Sequence, residues 1–206
     1  MAIEPTAEEI HLAFPVRREA IKPASKFRST WLTSSLRAIN TRERLDEYMR
    51  YLPAQHHEAV MSSVAGTWLP VEVAVAHYAA CDLLNFSSRE LFTIGHEVHE
   101  ITQGTVFGTM VKVARGVGVT PWTALSQCQR LWDRVWIGGG LAVFKLGPKE
   151  ARLEFVGWPC AGSTYIRHAM RGGVCGMLEM FCTRVHMTDM PRLCTATTLG
   201  YRIAWA

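Results

Sequence analysis

"LAVFKLGPKEARLEFVG" (residues 141–157) reads as two strands on either side of a short Pro148-Lys149-Glu150 linker. In its second half Leu153 and Phe155 alternate with Arg152 and Glu154, the two-residue period of a strand with one face in a core and one toward water. Downstream, a helix over about 163–182 carries Ile166, Met170, Gly173, Met177 and Phe181 on one side. "RVHMTDM" (184–190) and "TATTLGYRIAWA" (195–206) then supply two more strands, with Tyr201, Ile203 and Trp205 on one face and Arg202 on the other. The order strand, strand, helix, strand, strand, preceded by helical segments, predicts an α+β fold: a helical layer followed by a four-stranded antiparallel sheet.

Upstream, Pro5, Pro15 and Pro23 interrupt a charged stretch without sustained period, so residues 1–26 read as a loosely structured arm and 27–206 as one domain. Between Ser29 and Arg50 the apolar positions Leu32, Leu36, Ile39, Leu45, Tyr48 and Met49 recur at helical steps, giving one or two amphipathic helices. A further helix starts after Pro53, and Pro70 opens another that runs to about residue 84. Ser87 or Ser88 caps the next, with Glu90 in its first turn, and the stripe Ile94, Val98, Ile101, Gly104, Gly108, Val111 carries it to about Arg115. Thr120 and Pro121 start a helix over 121–136 in which Leu125, Cys128, Trp132 and Val135 repeat regularly.

At 206 residues the chain suits one unit with a real core. Its net charge of +4 is dispersed among acids, as in "NTRERLDEYMR", so no basic stripe marks a nucleic-acid site. The start "MAIEPTAEEI" lacks a basic and then apolar leader, and a cytoplasmic location is expected. The most apolar stretch, 68–84, contains Glu72, His77 and Asp82, which rules it out as a membrane span. Six scattered cysteines without a C-x-x-C pair read as reduced thiols. Seven Trp and nine Met exceed what a minimal core needs and point to a lined pocket or an interface.

The order of elements, with "WLP" (68–70), "GTVFGTMVKVARGVGVTPW" (104–122), "LWDRVWIGGG" (131–140) and "TTLGYRIAW" (197–205), resembles a family of paralogous proteins abundant in myxobacteria. The likeness covers roughly residues 27–206. Such proteins look similar in architecture to the fold of haem-containing nitric-oxide sensors, vinyl-reductase-type small-molecule domains and TRAPP trafficking subunits. The resemblance implies a pocket between helices and sheet. The sensors' iron ligand is a His on the helix before the first hairpin, where this chain has Cys128 and no His. Their Tyr-x-Ser-x-Arg propionate signature is also missing here, so no cofactor is expected.

Two clusters carry possible chemistry. "HEVHE" (96–100) spaces its histidines three apart and so misses the H-E-x-x-H pattern, yet His96, His99 and Glu100 share a helix surface and suit a transition metal. A solvated helix face explains them equally well. His168, Arg171, Cys175 and Cys182 share a face of the 163–182 helix, with Cys160 just before it, and positive neighbours can activate a thiol; small apolar packing is the plainer reading. Gly138 to Gly140 lacks the Lys-Ser/Thr of a phosphate loop and reads as a tight turn into the hairpin. The leading reading is a non-catalytic binding module, a sensor, adaptor or accessory protein. Its apolar pocket or groove near Trp122, Trp132, Trp136, Phe155 and Trp158 takes a small apolar ligand or a peptide or protein partner. Cys160, His168, Arg171 and Cys175 are further candidate contacts. The alternatives are an enzyme or enzyme accessory in a biosynthetic pathway that uses these Cys and His residues or a metal, and a scaffold acting through homodimerisation.

Overall fold

The structure is a computed structural model that describes residues 9–103 and 120–206, with the side chains of 98–103 left aside. The hairpin forms where the alternation places it, as β5 (Gly140–Gly147) and β6 (Glu150–Val156). A helix, α8 (Thr164–Leu178), leads to β7 (Val185–Asp189) and β8 (Thr198–Trp205). Strand β8 inserts between β6 and β7, all antiparallel, so Leu153 faces Tyr201 and Ala151 faces Ile203 across the ladder. Leu141, Leu153, Phe155, Tyr201 and Ile203 make the buried face, as the period of two predicts.

The expected sheet had four strands; the observed one has five. The first strand, β1 (Glu9–Leu12), comes from the stretch read as a loose arm and pairs with the β5 edge. Its four residues are too few to show a period. The following segment lies under the sheet's outer face, where Arg18 meets Glu154, a carboxylate only 2% exposed that Arg152 also holds at 2.7 Å. A buried charge of this kind persists only when paired. Three very short strands, β2 (Lys26–Arg28), β3 (Trp68–Pro70) and β4 (Trp136–Ile137), form a second small sheet that staples the two halves of the chain together.

The helices before the hairpin follow the sequence closely. The 29–50 stretch divides into α1 (Ser29–Thr41) and α2 (Leu45–Tyr51), broken where Glu43 takes a φ of 57°. A short α3 (His57–Met61) and α4 (Val71–Asp82) come next. Then α5 (Ser88–Gln103) starts with a capping box: the Ser87 N–H donates to Glu90 Oε2 at 2.8 Å, and the Glu90 N–H donates to Ser87 Oγ at 3.3 Å. The expected continuation past Gly104 and Gly108 to Arg115 lies outside the described residues. The predicted single helix over 121–136 is instead α6 (Pro121–Leu125) and α7 (Cys128–Asp133). Ser126 Oγ donates to the Thr123 carbonyl at 2.8 Å, the kind of local side-chain bond that competes with a continuous helix. Leu125, Cys128 and Trp132 nevertheless stay buried, because the turn keeps their spacing. Among the described residues no helix is long and apolar enough to cross a membrane.

Helices α5 and α8 cross with their backbones in contact. A Cβ at Gly95 would lie 1.8 Å from the Ala169 carbonyl oxygen, and one at Gly172 would lie 1.9 Å from that of Phe92. Only glycine permits this approach. The α8 N-terminus is fixed by Asp82 at the end of α4, whose Oδ1 accepts from the Tyr165 N–H at 2.7 Å and Ser163 Oγ at 3.0 Å. Its carboxylate satisfies an N–H that the helix cannot, and it faces the positive end of the dipole. Gly172→Ala is therefore expected to lower unfolding stability by about 2–3 kcal/mol in a denaturant titration. Gly147→Ala, whose Cβ would find ordinary contacts at 3.7 Å, is expected to change stability by less than about 1 kcal/mol.

Candidate functional site

Between the helices and the buried sheet face lies a cavity of about 510 Å³. Its sheet wall is Leu141, Leu153 and Phe155; Ile166, Met170 and Met177 of α8 stand opposite. Trp132 and Trp136, stacked with centroids 5.6 Å apart, close one side, and Trp31 meets Trp136 edge-on at 6.1 Å. The Trp132 indole donates to the Gly138 carbonyl at 2.9 Å, and its ring comes within 2.8 Å of where a Cβ on Gly139 would sit. Gly138 and Gly139 have φ of 88° and 65°, so the glycine run is the tight turn into the hairpin, shaped around that indole.

The cavity is apolar except at one wall and its mouth. Along the wall runs a buried hydrogen-bonded chain: Tyr48 Oη to His77 Nδ1 (2.7 Å), His77 Nε2 to Ser35 Oγ (2.9 Å), and Ser35 Oγ to Tyr165 Oη (2.6 Å). Ser35 and Tyr165 line the cavity, whereas His77 sits behind them with no exposure. Among Tyr48, His77, Ser35 and Tyr165 four hydrogens serve three bonds, so this row can run in either direction with one hydroxyl hydrogen left at an end, and the buried Cys81 thiol lies beside it, 3.6 Å from His77 Nε2. Burial pushes the His77 imidazolium down to about 3, so the ring is neutral, and burial raises the phenol pKa values of Tyr48 and Tyr165. At the mouth, Gly66 and Arg134 are the lining residues exposed to solvent. Beside them Arg28 donates to the Gly66 carbonyl and lies 4.2 Å over the Trp68 ring.

Of the residues singled out in the sequence, Trp132, Trp136 and Phe155 line the cavity. Trp158 is fully buried behind them, edge-on to Trp132 at 5.2 Å. Trp122 does not belong to the cavity. It donates to the Pro148 carbonyl at 2.9 Å and packs on Trp205, bridging α6 to the far end of the sheet. The structure does not bring His168 and Arg171 onto an activated thiol. His168 meets Ser88 at 3.3 Å, and Arg171 reaches His168 at 3.5 Å. Cys160 and Cys175 are buried, and burial pushes both thiols up to about 12, away from the thiolate that nucleophilic chemistry needs. His96 meets Glu179 at 3.2 Å; the side chains of His99 and Glu100 lie outside the described ones. Among the described residues no group of three or more His, Cys, Asp or Glu can hold a metal ion. Sequence reasoning missed Ser35, His77, Tyr165 and Arg28; a His inside the apolar 71–82 helix was the one available signal.

No family model and no curated protein matches the chain. Solved structures do. An Fe(II) unliganded H-NOX protein from K. algicida superposes with a TM-score of 0.64 at 9% identity, covering 87% of this chain and 96% of its own. An H-NOX protein used to probe haem distortion gives 0.56 at 12% identity, covering 86% and 92%. The chain thus shares the α+β fold of H-NOX domains, one of the architectures that the sequence resembles. Haem does not fit the described lining residues. Among the described lining residues there is no His, and the Cys128 thiol is pushed up to about 12 by burial. Burial likewise keeps the Tyr78 and Tyr165 phenols neutral, which leaves the Met170 and Met177 thioethers, both on one helix, as the ready donors among the described lining residues.

Two expectations follow. Below pH 6.5 the unfolded chain protonates His77 while the fold, down to about pH 3, does not, so stability present above 6.5 is lost as pH falls through that window. Between pH 6.5 and 5 the denaturation free energy of the wild type should fall more steeply than that of His77→Gln, by up to about 1.4 kcal/mol per pH unit. Iodoacetamide at pH 7.5 should leave Cys128, Cys160 and Cys175 unlabelled in the native protein and label them after unfolding, as read by peptide mass spectrometry.

Proposed function

We propose that this protein is a non-catalytic binding module that takes a small, largely apolar molecule into the cavity between its helices and sheet, in the manner of a sensor or accessory domain. The observation that carries the reading is the cavity itself. Its volume of about 510 Å³ falls within the usual range of ligand sites, and its walls are aromatic and aliphatic with a few placed polar groups. Core packing normally leaves no space of this size. The H-NOX neighbours support it at the level of fold, since two of them are proteins in which haem distortion was studied. A peptide or protein partner would then read ligand-dependent changes at the surface, as an adaptor does. The alternative of a Cys-dependent enzyme is disfavoured by thiols that burial holds protonated.

The test fills the space. A Cβ at Gly173 would meet only the Gly95 carbonyl, at an ordinary 3.5 Å, so a longer side chain can be carried there into the cavity wall. Gly173→Leu is expected to keep the fold by circular dichroism and weaken binding of the neutral dye Nile red at least tenfold. Equal dye binding by wild type and variant, or none by the wild type, would remove the proposal.

A further inference from the structure

Three features of the cavity share one sign. The charged residues among its described lining are Arg28 and Arg134, both cationic, and no Asp or Glu is among them. Neither arginine makes an ion pair with a described carboxylate: Arg28 uses a carbonyl and an indole ring, and Arg134 is exposed at the mouth. The two stand on neighbouring backbones, because the Arg28 N–H donates to the Val135 carbonyl at 2.7 Å. The cavity-lining indole of Trp136, 1% exposed, has an Nε1 donor with no acceptor. A buried donor left unpaired is costly, and such a group invites an acceptor from a ligand.

Resting on the binding-module reading above, we infer that the ligand is an amphipathic anion, a long-chain carboxylate whose apolar chain fills the cavity and whose head sits between Arg28 and Arg134. An apolar wall takes the chain at about fourfold in affinity per methylene. The guanidinium forks give a carboxylate charge-assisted hydrogen bonds. Arg28 has spare N–H groups beyond the one on Gly66, and Arg134 adds a second fork on the solvent side. A neutral alcohol of equal length meets the same wall without the charge, and an ammonium meets two like charges.

The experiment titrates the 206-residue chain with dodecanoate, dodecanol and dodecylammonium below their critical micelle concentrations. Binding is followed by the fluorescence of Trp31, Trp132 and Trp136, with far-UV circular dichroism at each end point to confirm the fold. Dodecanoate is expected to bind about tenfold more tightly than dodecanol, more tightly than dodecylammonium by a larger factor, and about fifteenfold more tightly than decanoate, which is two methylenes shorter. In Arg28→Gln/Arg134→Gln the preference of dodecanoate over dodecanol is expected to fall to near one while dodecanol affinity is unchanged. If the double variant loses its fold, Arg134→Gln alone, at an exposed position, should reduce the preference about threefold. Equal affinities of dodecanoate and dodecanol for the wild type would overturn the anion inference and leave the cavity reading standing. So would an unaltered preference in a folded arginine variant. If neither compound nor Nile red binds the wild type, the cavity reading fails together with this one.

Discussion

The contact on which the other packing depends is the crossing of α5 and α8 at Gly95 and Gly172, where carbonyl oxygens occupy the positions that side chains would take. Helices packed through ordinary side chains stand 8–10 Å apart; here the two backbones touch, and α8 cannot shift along or away from α5 without breaking that contact. The same helix is pinned at its start by Asp82 and along its length by the Tyr201 hydroxyl, which donates to the Arg167 carbonyl at 2.9 Å. With α8 held at three points from three directions, its remaining apolar face is presented to the sheet at a fixed distance. The space between them is therefore a property of the framework rather than of loose packing.

The two sides of the sheet solve the problem of buried polarity differently. On the outer face the Glu154 carboxyl is enclosed by Arg18 and Arg152, and Arg152 also lies 4.2 Å over the Phe144 ring. On the helical side the buried groups are neutral and meet one another by hydrogen bonds, from Tyr48 through His77 and Ser35 to Tyr165. Neutral groups of matched geometry avoid the desolvation cost that an ion pair would carry in that position. The consequence is a cavity whose described charges lie at the rim, Arg28 and Arg134, which keeps the described interior suited to hydrocarbon.

The elements legible in the sequence were those long enough to show a period. The β5–β6 hairpin, α8, β7 and β8 all declared themselves by alternation or helical spacing, and Ser87 with Glu90 announced the start of α5. Strands β1 to β4 have two to four residues each and exist because a neighbour completes them, which a local pattern cannot express. The helix over 121–136 was misread because Leu125, Cys128 and Trp132 keep a helical spacing through a turn made by Ser126 and Gln127. At the site, large aromatics near the helix-to-sheet junction led to Trp132, Trp136 and Phe155. Trp122 shares their residue type but packs at the far end of the sheet. Ser35 and Tyr165, 130 positions apart, are joined only by the tertiary fold.

The polar wall has a property that depends on its being a continuous row of hydroxyls on both sides of one imidazole. If Tyr48 donates to Nδ1, the ring carries its proton on Nε2 and the spare hydrogen stands on Tyr165 at the cavity; if the row runs the other way, the proton is on Nδ1 and the spare hydrogen is stranded on Tyr48. An acceptor arriving at Tyr165 selects the first arrangement. The tautomer of His77, itself set back from the cavity, would thus report an acceptor held against the Tyr165 hydroxyl, readable in the nitrogen chemical shifts of a single ring.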